Sequence, residues 1–349
     1  MTHIWVRSES RPHEERVGLT PQGAGSLLAA GYDVTVEESS QRIFPIADYA
    51  AVGCAIVPEF SWVDAPDDAI IFGLKELPED GTPLRHRHIM FGHAYKGQPS
   101  GKILLKRFKA GGGTLLDIEY LTDADGRRVA AFGYWAGYAG AAVALMCWIA
   151  QQQSAIAGSV KAYPSANQML DALKQALVEI GTTRPTALTI GALGRVGNGA
   201  ADLCEAMGVR VTKWDMAETA SGGPFPEVLE HDIFLNCILA RPGTPVFVPQ
   251  SAKNADRRLS VIGDIACDPD SDFSPIKVYD RTTTWDAPAL RVHEQPVLDV
   301  TAIDNLPSML PAESSADFAG QLLPHLMKLN AIDEDVWGRA QDMYLKSTM

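Results

Sequence analysis

Residues 186–200 read TALTIGALGRVGNGA, a β-branched apolar run that leads into a turn with glycines at Gly191, Gly194 and Gly197. An amphipathic segment follows at 201–208, and a second strand-like run ends in Asp215. This order is typical of a dinucleotide-binding βαβ unit, in which a strand is followed by a glycine turn, a helix, a second strand and an acidic residue. The spacing G-x-x-G-x-x-G differs from the usual G-x-G-x-x-G, but the surrounding pattern predicts that this turn holds a dinucleotide.

The residue types explain why such a turn suits a pyrophosphate. Glycines allow close approach of the backbone, and the first turn of the following helix offers unpaired N–H groups to an anion. A carboxylate at Asp215 accepts hydrogen bonds from ribose hydroxyls and repels a 2′-phosphate, so the cofactor is predicted to be NAD rather than NADP. A glycine-rich turn that opens an ordinary α/β helix is the structural alternative.

Strand-like and helix-like runs alternate along most of the chain, which predicts an α/β fold. We expect two Rossmann-like, doubly wound domains with a cleft between them. Residues 1–132 plus about 312–349 would form the substrate and catalytic domain, and residues 133–311 the NAD-binding domain. Strands are predicted in both halves, at 3–6, 32–37, 69–74, 88–91, 114–120, 186–190, 209–215, 233–236, 259–265 and 276–279.

Composition restricts the class of partner. The 349 residues carry a formal charge of −13, which argues against nucleic acid or an anionic membrane as a partner.

The five cysteines are scattered, which indicates reduced thiols and no metal site. The N-terminus lacks a signal-peptide pattern, so a cytoplasmic protein is predicted. The uncharged segment 132–150 could span a bilayer by length, but a buried helix is the preferred interpretation. The oligomeric state is left open, a monomer included.

Ionisable residues follow several apolar runs of the first half. Lys75 and His93 come at the predicted carboxyl ends of strands, where ligands bind in open α/β sheets, so both are acid–base candidates. Glu76 and Glu119 are carboxylates that could moderate them. Arg127 and Arg128 suit carboxylate or phosphate recognition. His86 and His88 are expected at the surface. The alternative is that Lys75 ends a surface strand and His93 is a core histidine.

With these residues in view, the chain resembles the NAD-dependent, lysine-forming saccharopine dehydrogenases, and more distantly the alanine dehydrogenases and the NAD-binding part of transhydrogenase. The resemblance runs almost end to end and includes ERVGLTP, GLKELP, FGHAYKGQ, GRRVAAFGYWAGYAGAA, GALGRVGNGA, KWDMAET, GGPF, NCI and IDNLPSMLP. It implies reversible oxidative deamination of saccharopine by NAD to lysine and 2-oxoglutarate.

The resemblance also implies roles for residues. Lys75 would take the proton of the secondary amine, and His93 would assist attack of water on the imine. Positions that match substrate contacts are Arg16, Gln98, Arg128, Phe132 and Asp268. Positions that match the cofactor side are Arg127, Gly194, Arg195, Asp215, Thr219, Ile265, Ile303, Asp304 and Leu306.

The chain departs from several fungal members at Leu239, Cys267 and Ala312. None of these positions is the acid–base pair or the ribose carboxylate, but they leave the amine substrate open. A related opine-type or alanine-dehydrogenase-like enzyme with another amine is the enzymatic alternative. A protein that binds NAD(H) without catalysis, as a sensor, is the alternative from another class.

Overall fold

The computed structural model describes residues 1–181 and 183–348. The chain divides into two compact units: the first holds residues 1–131 and the segment from Pro311 onward, and the second holds residues 132–310. The strands are β1 His3–Val6, β2 Asp33–Glu37, β3 Ala55–Val57, β4 Ile70–Phe72, β5 Arg87–Met90, β6 Thr114–Asp117, β7 Thr186–Ile190, β8 Arg210–Trp214, β9 Ile233–Asn236, β10 Val261–Asp264, β11 Leu290–Glu294 and β12 Val297–Thr301. The α-helices are α1 Pro21–Ala29, α2 Ile46–Ala51, α3 Pro99–Gly111, α4 Gly133–Gln152, α5 Ala166–Ile180, α6 Arg195–Ala206, α7 Met216–Thr219, α8 Pro226–Leu229, α9 Pro311–Leu326 and α10 Asp335–Thr348.

The sheet of the first unit has the strand order β3-β2-β1-β4-β5-β6, and all of its neighbouring strands pair in parallel. Parallel strands point the same way, so the segments that follow β1, β4, β5 and β6 all emerge at one edge of the sheet. The strand runs are nearly continuous in apolar residues because both faces are covered, as in Ile70–Phe72, which is fully buried.

The sheet of the second unit has the order β11-β12-β10-β9-β7-β8. Its pairings are parallel except for β11, which runs antiparallel to β12. The carboxyl ends of β8, β7, β9 and β10 therefore lie next to one another. Two sheets of this kind with helical connections confirm the predicted α/β fold class.

Helix α4 contacts helix α6 backbone to backbone in the second unit. A Cβ at Gly137 would lie 1.8 Å from the carbonyl oxygen of Val196, and one at Gly199 would lie 1.9 Å from that of Tyr134. Small residues thus serve close packing. By length and composition α4 could cross a membrane, yet 67% of its most apolar window is buried inside the protein. It is a core helix, as the sequence predicted.

Two local predictions are wrong. His86 and His88 are 1% and 0% exposed, because the His86 ring pairs with the carbonyl oxygen of Ala65 and the His88 ring packs against Trp62 and Phe108. Residues 276–279 do not form a strand and make one isolated bridge, between Ile276 and Val248. The apolar run there is buried as a loop beside the sheet.

Candidate active site

Lys75 lies three residues beyond the end of β4, at the carboxyl edge of the first sheet. Its Nζ is 4.0 Å from Oε2 of Glu14, in the segment after β1, the strand beside β4. The Lys75 side chain is 14% exposed, so its amine borders solvent without being fully hydrated. The structure therefore places this predicted base against a carboxylate that the sequence did not single out.

Glu14 holds Arg16 as well as facing Lys75. Arg16 donates from Nε to Oε1 at 2.7 Å and from Nη2 to Oε2 at 2.6 Å, a bidentate pair. Burial by itself raises the pKa of Glu14, but the charge and hydrogen bonds of Arg16, with the charge of Lys75, outweigh it and lower the pKa. Glu14 is thus an ionised carboxylate between two cations.

His93 follows β5, the next strand along the same edge, with a φ of 48° that is uncommon for a residue with a side chain. Its Nδ1 is 3.2 Å from Oε2 of Glu119, and the imidazole is about half exposed. Glu119 also accepts from Lys96 at 2.8 Å and from Arg128 at 3.0 Å. The hydrogen bond from His93, followed by those cations, lowers the pKa of Glu119 to about 2 against the effect of burial.

The structure therefore gathers the predicted residues into two clusters. One centres on Glu14, with Arg16 and Lys75; the other centres on Glu119, with His93, Lys96 and Arg128.

The remaining predicted residues of the first unit lie around these clusters. Glu76 faces Arg11, with Oε1 3.6 Å from Nη1. Gln98 is exposed at the residue that precedes α3. Arg127 is exposed, and its backbone N–H donates to Asp123 in the turn that presents Arg128.

The glycine turn in the second unit joins β7 to α6 as predicted. Gly191 has a φ of 89°, a conformation that favours glycine. A Cβ at Gly197 would lie 2.2 Å from the carbonyl oxygen of Gly191, so only glycine permits this close approach of helix and strand. Gly194 is the residue before α6, and Arg195 begins the helix at an exposed position. The N–H groups of a helix N-terminus suit a pyrophosphate, and the first turn of α6 lies directly after the glycines.

Asp215 follows β8, the strand beside β7, and is tied to the glycine turn. Its Oδ2 accepts from the backbone N–H of Leu193 at 3.0 Å, and Oδ1 accepts from that of Met216 at 2.9 Å. Glu218 accepts in return from the N–H of Asp215 at 2.7 Å, which completes a capping box for α7. The carboxylate is thus fixed beside the turn by the backbone.

A cavity of about 490 Å³ opens between the glycine turn and the segment after β9. Gly191, Asp215 and Thr219 border it, with Ile238 and Phe247 as apolar walls. Its volume is in the range of small-molecule sites. Apolar walls with a fixed carboxylate at the rim fit an adenosine, so these residues fit the predicted dinucleotide.

Other residues matched to the cofactor or substrate lie further along the second unit. Ile265 follows β10 and, with Leu306, packs against Gly140 of α4, where a Cβ would be 2.6 Å from Ile265. Ile303 is buried beyond β12. Asp268 and Asp304 are exposed, and Phe132 is the half-buried residue before α4.

In residues 1–181 and 183–348, no group of three or more His, Cys, Asp or Glu side chains is arranged to hold a metal ion.

Comparison with known proteins gives concordant results. The family model for the N-terminal domain of alanine dehydrogenase/PNT matches residues 5–139. A solved structure of L-alanine dehydrogenase superposes with a TM-score of 0.70 and 19% identity over 99% of this chain and 94% of that chain. At this identity the match establishes the two-domain fold.

Similarity in sequence is much higher to one group of enzymes. Saccharopine dehydrogenase (NAD(+), L-lysine-forming) of Yarrowia lipolytica is 45% identical over 359 residues, which cover 99% of this chain and 97% of the relative. The protein of the same name from Emericella nidulans is 46% identical, over 98% and 96% of the two chains. The chain therefore belongs to the family of NAD-dependent, L-lysine-forming saccharopine dehydrogenases.

Proposed function

We propose that the protein catalyses the reversible reaction of saccharopine, NAD⁺ and water to give L-lysine, 2-oxoglutarate, NADH and a proton. The first unit supplies the acid–base residues and the second unit holds the cofactor. The observation that carries the proposal is that the Glu14 and Glu119 clusters follow β1, β4, β5 and β6 at one sheet edge, in a chain 45% identical to such an enzyme.

Lys75 is the proposed base for the secondary amine of the substrate. The Lys75 ammonium that faces Glu14 must first lose a proton, and the neutral amine then takes the proton of the substrate nitrogen as the carbon–nitrogen bond is oxidised to an imine. Glu14, ionised and 4.0 Å away, stabilises the ammonium that results. The pair of Glu14 and Arg16 is buried and bidentate, so this charge arrangement is fixed before substrate binds.

His93 is proposed to handle the water. It removes a proton from the water that attacks the imine carbon and later returns a proton to the departing lysine nitrogen. Glu119 stabilises the imidazolium, since it remains ionised at neutral pH. Arg128, which donates to Glu119, and Gln98 are proposed to bind substrate carboxylates, with Arg16 as a further cation.

A bound dinucleotide would supply the hydride acceptor for this oxidation. In the second unit, the first turn of α6 and Gly191, Gly194 and Gly197 would hold its pyrophosphate, and Asp215 with Thr219 its adenosine ribose. Ile265, Ile303, Asp304 and Leu306 would lie toward its other end. The carboxylate of Asp215, fixed by two backbone N–H groups, favours NAD over NADP. The other partners proposed are small molecules, namely saccharopine, or lysine and 2-oxoglutarate. The compartment proposed for the reaction is the cytoplasm.

The test is loss of NADH absorbance with 2-oxoglutarate and lysine, followed by a panel of other amines and 2-oxo acids. Turnover with lysine well above every other amine is the expected result. Turnover with a different pair alone would overturn the substrate assignment, and NADH binding without any turnover would indicate a sensor. In the Lys75→Met variant, turnover should fall about 100-fold, since general acid–base groups contribute 10²–10⁴-fold.

A further inference from the structure

We propose that Arg7 and Glu9 position Lys75 by hydrogen-bonding to the N–H group and the carbonyl oxygen of its backbone. This inference rests on the proposed role of Lys75 as the base. Arg7 and Glu9 belong to the segment directly after β1 and are 3% and 8% exposed, and they hydrogen-bond to each other and to the backbone of Leu74 and Lys75. They act on the reaction only through Lys75.

Glu9 fixes the amide side of the Lys75 loop. Its Oε1 accepts from the backbone N–H of Leu74 at 2.6 Å, and Oε2 accepts from that of Lys75 at 3.0 Å. Two hydrogen bonds from consecutive N–H groups to one buried carboxylate determine the orientation of the chain as it leaves β4.

Arg7 fixes the carbonyl side. Its Nη2 donates to the carbonyl oxygen of Lys75, and its Nη1 donates to Oε2 of Glu9 at 3.2 Å. Both polar groups of the Lys75 backbone are therefore held by one buried ion pair. The Lys75 side chain starts from a fixed Cα and needs only its own rotamers to reach Glu14.

The ion pair is anchored deeper in the unit. Ser8, between Arg7 and Glu9, donates from its backbone N–H to Oε2 of Glu37 at 2.8 Å. Glu37 is fully buried and also accepts from the indole of Trp5 and from the backbone N–H of Trp62. We call the Arg7–Glu9 pair the clamp on Lys75. Because it is fixed on this core network, its position should change little when substrate replaces solvent at the site.

Gly73 shows that the sequence accommodates this clamp. A Cβ at Gly73 would lie 2.4 Å from Cζ and 2.4 Å from Nε of Arg7. The guanidinium therefore occupies the space that any other residue would need. Gly73→Ala should push Arg7 away from the Lys75 carbonyl without changing any charge or any atom of Lys75.

The experiment measures NADH oxidation with the intact protein and the best amine and 2-oxo acid pair. Gly73→Ala should lower kcat about 10- to 100-fold, because misplacement of a catalytic group by about 1 Å costs this much. Gly320→Ala is the matched control, since the added Cβ would meet nothing within 4 Å beyond its own stretch of helix α9. The dissociation constant for NADH and the melting temperature are recorded for each variant.

A double-mutant cycle separates positioning from general damage. If Gly73→Ala acts through Lys75, it should add no loss in the Lys75→Met background. Losses that multiply in the double variant would mean that the clamp acts elsewhere than through Lys75, and full activity of Gly73→Ala alone would count against any role of the clamp in the reaction. If Gly73→Ala does not fold, the same cycle is measured with Arg7→Lys. This variant keeps the positive charge but loses the two guanidinium donors that reach Glu9 and the Lys75 carbonyl, so it tests the same positioning role.

The two proposals fail differently. Full activity of Lys75→Met would overturn the base assignment itself, whatever the clamp does. A strong defect in Lys75→Met with normal kinetics in Gly73→Ala and Arg7→Lys would leave the base assignment intact and overturn only its positioning.

Discussion

Oε2 of Glu14 lies between two cations: it accepts from Nη2 of Arg16 at 2.6 Å and is 4.0 Å from Nζ of Lys75. One buried oxygen thus links the residue matched to substrate binding with the proposed base. Removing the carboxylate would leave a buried guanidinium beside an amine with no anion between them. Glu14 therefore contributes to the stability of the folded protein, through Arg16 and Lys75, as well as to the proposed chemistry.

Glu14→Ala should therefore lower the free energy of unfolding by about 3–5 kcal/mol, the usual cost of leaving one member of a buried ion pair unpaired. Urea unfolding at neutral pH measures this. Glu76→Ala is the matched control, since Glu76 is half exposed beside Arg11 and its pair should contribute less than about 1 kcal/mol. Equal small losses in both variants would show that the Glu14 pair is hydrated.

The buried position of His88 predicts that the protein loses stability as the pH falls. It is fully buried between the rings of Trp62 and Phe108, and burial, with the positive charge of Arg7, keeps its pKa well below 6.5. The unfolded chain takes up this proton as the pH falls through 6.5 and the folded chain does not, so stability is lost below that pH.

His88→Phe should reduce the loss of unfolding free energy between pH 7 and pH 5 by about 2 kcal/mol. Urea unfolding at the two pH values gives the difference. An unchanged difference would mean that His88 protonates in the folded state.

Asp215→Asn tests the choice between cofactors. Asparagine keeps an oxygen to cap α7 but loses the charge, so the fold should persist while the preference for NADH over NADPH falls about tenfold or more. Fluorescence titration with both cofactors measures it. Glu205→Gln, at an exposed ion pair with Lys213, should leave both affinities unchanged. Equal weakening of NADH and NADPH by Asp215→Asn would contradict the ribose assignment.

Gly197→Ala tests the glycine turn. The added Cβ would meet the carbonyl oxygen of Gly191 at 2.2 Å, so α6 must move away from β7. We expect the dissociation constant for NADH to rise at least about tenfold, since the pyrophosphate loses aligned N–H groups. Gly158→Ala, with open space around its Cβ, should bind as the unchanged protein does. Normal binding by Gly197→Ala would argue against this turn as the cofactor site.

Local sequence patterns predicted much of the fold. The positions of the glycine turn, Asp215, Lys75 and His93 were predictable because each follows an apolar strand, and the topology of each parallel sheet puts such residues at its carboxyl edge; their roles remain predictions. The contacts of Glu14 and Glu9 with Lys75 could not be predicted, because they join segments that follow different strands and no spacing in the sequence encodes them. His86 and His88 were misplaced because a polar residue in a strand is usually read as facing water.

Close packing of α4 has a consequence for synthesis. Within the second unit the partners of α4, among them α6, β9, β10 and β12, all come later in the chain. At a typical rate, the ribosome takes about 3–10 s to make the fifty or so residues that separate the end of α4 from the end of α6. During that interval the twenty-residue apolar helix has only α5 among its partners in the second unit. The nascent chain therefore presents a target for chaperones that the finished enzyme conceals.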